Sequence, residues 1–166
     1  MQNEKDETFL NDIWSLYFHD PSDMDWNYKS YKRLCDISTV ETYWQTHHLI
    51  KDRLHNGMFF LMREHIFPCW DDEYNKTGGC LSIKVLKQDV KTFWEFFSIR
   101  MLGECLCKDT KNWDLVNGIS TSPKKHFCIV KIWFKTNDLT TKDMFYFPEN
   151  YDGEILYKPN IESIGK

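Results

Sequence analysis

The order of apolar and polar positions along this chain changes period several times, and each change marks an element. Trp14-Ser15-Leu16-Tyr17-Phe18 alternates in the two-residue period of a strand. Asp20-Pro21-Ser22-Asp23 interrupts it as a loop that leads to Trp26. Ser38-Thr39-Val40-Glu41 has the hydroxyl-to-glutamate spacing of a capping box, in which hydroxyl and carboxylate each satisfy an orphan amide. A helix is expected from there to about Leu54, before Asn56-Gly57 stops it. At helical spacing Tyr43, His47, Ile50 and Leu54 form its core-facing arc, with Val40 and Trp44 on the margin. That margin is either buried too or an exposed anchor for a partner helix, and the pattern leaves both open.

Further on, Met58–Met62 reads as an apolar strand, Asn75–Gly79 as a tight turn and Cys80–Leu86 as another strand. Val90, Phe93, Trp94, Phe97 and Met101 recur at helical spacing, giving a second amphipathic helix to about Glu104. Val116–Thr121 and Phe127–Phe134 read as strands joined through Ser122-Pro123-Lys124-Lys125, and Glu154–Tyr157 as a last short strand. Strands outnumber helices, and few connections have room for a crossover helix. The expected class is therefore α+β, a mainly antiparallel sheet with helices packed on one face. No repeat, low-complexity stretch or linker divides residues 1–166, so one domain is expected, with polar Met1–Thr8 as a loose tail.

Composition narrows the class. The 42% hydrophobic and 16% aromatic content over 166 residues is enough for a proper core. No apolar run approaches the ~18 residues of a membrane span, and no secretory signal opens the chain. Six cysteines (35, 69, 80, 105, 107 and 128) form no CxxC pair and read as reduced, mostly buried thiols of a cytoplasmic protein. The net charge of −4 argues against a grip on long nucleic acids, which relies on basic surfaces. A nucleic-acid ligand here should be a small defined group, met by local positive charge.

Enzyme signatures are poor: GxSxG, HExxH, P-loop and GxGxxG patterns are all missing, and Gly78-Gly79 reads only as a tight turn. Asp71-Asp72-Glu73 invites a magnesium site, but consecutive strand carboxylates point to opposite faces. His47-His48 and His55 lack metal-ligand spacing on a helix. No catalytic residue, metal or cofactor is expected. Positive charge gathers at Lys124, Lys125 and His126, then at Lys131, which shares a strand face with Trp133. That pair reads either as a phosphate-plus-base site or as a solvated strand face. The seven tryptophans fall in different segments, and Trp70 opens the acidic run Pro68-Cys69-Trp70-Asp71-Asp72-Glu73. Stacking on an indole contributes ~1–3 kcal/mol per base, and an adjacent carboxylate can accept hydrogen bonds from a purine edge.

Taken in order, these pieces resemble the eukaryotic translation initiation factor 4E family of messenger-RNA cap-binding proteins. The matching segments are Trp14–Phe18, Trp26, Ser38-Thr39-Val40-Glu41-Thr42-Tyr43-Trp44, and Pro68–Gly79 with its Asn75-Lys76-Thr77-Gly78-Gly79 end. Phe93-Trp94 with Gly103-Glu104, and Val130-Lys131-Ile132-Trp133, complete the set. The resemblance implies a curved antiparallel sheet with helices on its convex back and the cap in its concave face. It implies that Trp26 and Trp70 sandwich 7-methylguanine, whose methylation makes the ring cationic. It gives Asp71 the guanine edge, with one methylene less than the family's usual Glu, and gives Trp133 the methyl pocket. Val40 and Trp44 match the dorsal anchors for a 4G-like scaffold or a repressor peptide.

The departures are specific. Of two family phosphate ligands, one falls on Lys124 and the other on Ile129, so Lys125, His126 or Lys131 must substitute. The Arg that follows the Gly-Gly pair is Cys80, and a dorsal Leu is Glu95, a carboxylate expected to be desolvated against the buried Leu of a standard scaffold peptide and to prefer a partner with Lys or Arg opposite it. The usual His-Pro-Leu before the first strand reads Thr8-Phe9-Leu10, and the stretch after Trp133 is short. The resemblance thus implies a divergent, pared-down member of the kind a virus or reduced genome encodes, acting as a monomer on capped mRNA. Two alternatives stay open: a cap-binding regulator that cannot engage the usual scaffold, and a carboxylate-dependent nucleotide-processing enzyme.

Overall fold

The computed structural model describes residues 6–165 of the chain. Seven strands form one sheet in the order β2-β1-β3-β5-β6-β4-β7, where β1 is Phe9–His19, β2 Tyr31–Thr39, β3 Met58–Arg63, β4 Gly79–Leu86, β5 Val116–Pro123, β6 Phe127–Phe134 and β7 Ile155–Pro159. Every neighbouring pair is antiparallel. Helix α1 (Val40–Ile50) joins β2 to β3, and α2 (Val90–Leu102) joins β4 to β5. The expected α+β class and antiparallel sheet hold. Irregular register between β1 and β2, and between β5 and β6, bends and twists the strands locally, as bulges do.

The curved sheet separates two apolar clusters. The larger lies on the convex side, where Trp14, Leu16, Leu61, Leu81, Ile83, Ile119 and Ile132 meet Tyr43, Ile50, Leu54, Trp94 and Phe97 from the helices. The smaller gathers Tyr17, Phe60, Met62, Ile66, Cys80 and Trp133 on the other face, with Tyr31 and Phe67 packed against it. The two-residue period of each strand assigns the faces. Along β6, Cys128, Val130 and Ile132 go to the helices, while Ile129, Lys131 and Trp133 go to the concave side.

Tyr43, His47, Ile50 and Leu54 are all buried, so the expected arc of the first helix is right. Its start needs correcting. Ser38 belongs to β2, and Thr39 is the cap, accepting from the Thr42 N–H at 3.1 Å. Glu41 does not reach back to the cap; its carboxylate accepts from the Thr8 N–H at 3.0 Å. The Thr8 carbonyl in turn accepts from the Val40 N–H, which ties down the end of the expected loose tail. Residues 1–5 of that tail lie outside the described residues. After Ile50 the helix tightens into a 3-10 turn through Arg53. All six cysteines are free, with Cys80, Cys107 and Cys128 buried, Cys35 and Cys69 half-buried and Cys105 exposed. No helix among the described residues is long and apolar enough to cross a membrane.

Candidate nucleotide-binding face and dorsal surface

Strand order decides where the acidic Trp70 segment goes. β3 neighbours β1 and β5, whereas β4 lies beyond β6, so the connection from Glu64 to Gly78 must pass the ends of β5 and β6. It carries Trp70 to β6, where the Lys131 ammonium lies 5.7 Å from the indole centroid. The segment is a series of turns and not the strand that the carboxylate argument assumed. Asp72 explains why: its two oxygens accept the Phe67 and Tyr74 N–H groups, an acidic side chain closing its own loop.

Asn75, fully buried, locks the same loop from below. Its amide donates to the Phe67 and Cys69 carbonyls, its side-chain oxygen accepts from Asn117, and its backbone carbonyl accepts from Asn160. Asn117 also donates to the Tyr74 carbonyl. Gly78 is more than a tight turn. A Cβ there would sit 1.8 Å from the Phe134 carbonyl oxygen, so the loop returns to the sheet through a gap only glycine fits.

Asp71 is exposed, whereas Asp72 is half-buried with both oxygens bonded to the loop backbone. Burial raises the Cys69 thiol to about 12, and the nearby Asp71 carboxylate adds to the effect. Burial, then Cys69 and Asp71, also raise the Tyr31 phenol. Phe67 from the Trp70 loop meets Tyr28 at 4.6 Å and Tyr31 at 5.0 Å, joining that loop to the one bearing Trp26.

Trp26 and Trp70 are 52% and 39% exposed, as are Trp44 and Trp113 to a similar degree, so large parts of both rings face solvent. Trp26 lies flat on His19, with ring centroids 3.8 Å apart and planes 6° apart. His19 is itself buried and pinned at both ring nitrogens, near the carbonyls of Asp20 and Asp25 and the Ser30 hydroxyl. Trp133 is buried in the concave cluster, donates to the Ser120 hydroxyl at 3.0 Å and meets Phe60 edge-on.

The basic candidates divide. Lys131 is half-buried on β6, and its amine is held below the usual lysine value by burial, opposed by Cys80 and reinforced by Lys124 and Lys158. Lys125 and His126 are exposed at the β5–β6 turn. The concave face is thus polarised, with Asp71 toward the β2 edge, ammonium groups toward β6 and β7, and Trp70 between.

On the convex back, Val40 and Trp44 are 36% and 46% exposed, which resolves the open margin in favour of an exposed ridge. Glu95 lies beside them, since His47 donates from Nε2 to its carboxylate at 3.1 Å and meets Trp44 edge-on at 5.9 Å. In the free protein Glu95 thus has a partner within the chain, one that the sequence did not indicate. Burial lowers the His47 pKa despite Glu95, so the bond is that of a neutral imidazole, and its unpartnered Nδ1 is a lone pair. Sequence reasoning missed His19 and Lys158 altogether, and it named His47 and Asn75 without their contacts to Glu95 and to the Trp70 loop.

The sequence profile of the family described as eukaryotic initiation factor 4E matches residues 9–149. A eukaryotic translation initiation factor 4E homolog of Acanthamoeba polyphaga mimivirus is 27% identical over 135 residues, 68% of this chain and 50% of the relative. The eukaryotic translation initiation factor 4E-1A of Danio rerio is 30% identical over 142 residues, 81% of this chain and 63% of the relative. The chain thus spans about half the length of the first of these. Among solved structures, the complex of C. elegans eIF4E-3 with the 4E-binding protein Mextli and cap analog superposes with a TM-score of 0.78 at 19% identity, covering 97% of both chains. Ascaris suum eIF4E-3 with m7G cap gives 0.71 at 21% identity, over 81% of this chain and 77% of that one. These likenesses establish the shared fold. By the profile match across most of its length, the chain belongs to the eukaryotic initiation factor 4E family.

Proposed function

We propose that this protein is a cytoplasmic, non-enzymatic module that binds the 7-methylguanosine cap of mRNA and delivers it to translation initiation. Trp26 and Trp70 stack on the methylated base, Asp71 accepts from its N1–H and 2-amino group, and Trp133 lines the pocket for the methyl group. Lys124 and Lys131 receive the phosphates, with Lys125 and His126 further out on the hairpin. The observation that carries this reading is the polarity around Trp70: Asp71 beside it, and the Lys131 ammonium 5.7 Å from its ring. A flat cation bearing donors on one edge and phosphates on the opposite side matches that order. On the back, Val40 and Trp44 present an apolar ridge to a helix of a scaffold or repressor.

A second reading, a regulator that binds cap without engaging the usual scaffold, draws on Glu95. A carboxylate tied to His47 stands where an apolar partner side chain would be received. Retention on a 7-methyl-GTP resin, with release by 7-methyl-GTP but not by GTP, tests the cap reading. Release by both nucleotides, or no retention, sinks it. Capture of a scaffold fragment by the retained protein separates the initiation factor from the regulator.

A further inference from the structure

Cys80, where the family resemblance places an arginine, lies in the middle of the β6-β4-β7 part of the sheet and relates two lysines to each other. Cys80 pairs with Trp133 of β6 on one side and with Lys158 of β7 on the other. Directly paired residues share a sheet face, so Lys158 rises on the concave side in the row of Cys80 and Trp133. Lys131, two residues from Trp133, rises in the adjacent row opposite Ser82. Lys131 and Lys158 therefore flank β4 diagonally, on the face that bears Trp70.

Their electrostatic setting is unbalanced. Burial is the main effect disfavouring the Lys131 charge; Cys80 opposes it, and Lys124 and Lys158 add to it. Among the described residues no carboxylate lies within ion-pair distance of Lys124, Lys131 or Lys158. A half-buried ammonium surrounded by like charge costs stability unless an anion arrives to share it. In a chain of net charge −4, such a concentration marks a destination for a polyanion. It begins at the Trp70 ring and runs toward the β7 edge.

We propose that Lys158, together with Lys131, forms a phosphate-binding pair beside Cys80 that draws the ligand's phosphate chain across β4 toward β7. This rests on the cap reading and deepens it: the β7 edge, and not the β5–β6 turn with Lys125 and His126, takes the distal phosphates.

The test compares 7-methylguanosine with 7-methyl-GTP by tryptophan quenching, for the parent, Lys131→Ala, Lys158→Ala and the double variant. Each single change should lower the triphosphate's advantage over the nucleoside roughly ten-fold, the scale of one charge-assisted contact. Nucleoside affinity should be unchanged in Lys158→Ala, and the slope of log affinity against log salt should fall by about one per lysine. Lys158→Arg should restore the advantage, and Lys91→Ala, an exposed residue on α2, should leave it intact. An unaltered advantage in Lys158→Ala overturns the proposal while leaving the cap reading standing. If the parent fails to distinguish 7-methylguanosine from guanosine, the cap reading fails instead. Inorganic tripolyphosphate then decides the lysine pair alone: it should raise the parent's melting temperature and not the double variant's, and equal stabilisation of both overturns the pair.

Discussion

At the scale of single residues, neighbouring acids have opposite tasks. Asp72 spends both oxygens on the loop backbone, whereas the adjacent Asp71 carboxylate faces Cys69 and Tyr31. Asp71→Asn keeps the shape but offers a donor where the guanine edge also donates. It should weaken 7-methylguanosine binding by ~1–3 kcal/mol, the cost of leaving buried donors unpaired, with the melting temperature unchanged. Asp72→Asn should do the reverse in the main, lowering the melting temperature. Calorimetric titration beside thermal melts checks both, and parental affinity in Asp71→Asn removes the carboxylate from the account. Little of this division was legible beforehand. Adjacent acids are equivalent to any pattern, and only the turn geometry separates them.

At the scale of elements, the site depends on a loop held by amides from distant segments. Asn75→Ala leaves the Phe67 and Cys69 carbonyls and the Asn117 amide without their partner. It should cost about 1–3 kcal/mol of stability and also weaken cap binding, because the Trp70 loop loses its anchor. Trp70→Ala, by contrast, should lose affinity while keeping its melting temperature; the two variants behaving alike would contradict the anchoring role. The first helix was readable because its arc of Tyr43, His47, Ile50 and Leu54 keeps the helical period and is buried along its length. β2 was missed because it is an edge strand whose Lys32, Arg33, Leu34 and Asp36 are exposed, leaving no alternation to detect. Asn75, Asn117 and Asn160 lie far apart in the chain, and Lys158 approaches Lys131 only through the strand order, so neither grouping has a local signature.

On the dorsal side, Trp44→Ala should abolish binding of a scaffold helix and leave cap binding intact, since the two surfaces lie on opposite faces of the sheet. Glu95→Leu should strengthen binding of an ordinary apolar scaffold peptide, and more so with His47→Phe, which removes the donor that the first change orphans. Peptide titration by fluorescence anisotropy reads both. Tight binding of that peptide by the parent would show that Glu95 does not obstruct it.

At the scale of the whole molecule, two properties follow from where charge is buried. Burial depresses the His47 pKa, so the folded protein refuses a proton that the unfolded chain accepts near pH ~6.5. The stability from this group is complete above that value and is lost as the pH falls below it. Thermal melts from pH 7.5 to 5.5 should show a decline that flattens in His47→Phe, and identical slopes would contradict the assignment. The second property is the polarity of the concave face, acidic toward β2 and basic toward β7, with the exposed Trp70 ring between. It suits the proposed ligand, a flat cationic base with donors on one edge and phosphates on the other side.

The measurement that tests this most directly is a titration of intrinsic tryptophan fluorescence with 7-methyl-GTP and, in parallel, GTP. Stacking of a cationic base on Trp26 and Trp70 predicts strong, saturable quenching by 7-methyl-GTP, far weaker quenching by GTP, and loss of ~1–3 kcal/mol or more in Trp70→Ala. Equal affinity for the two nucleotides would contradict it.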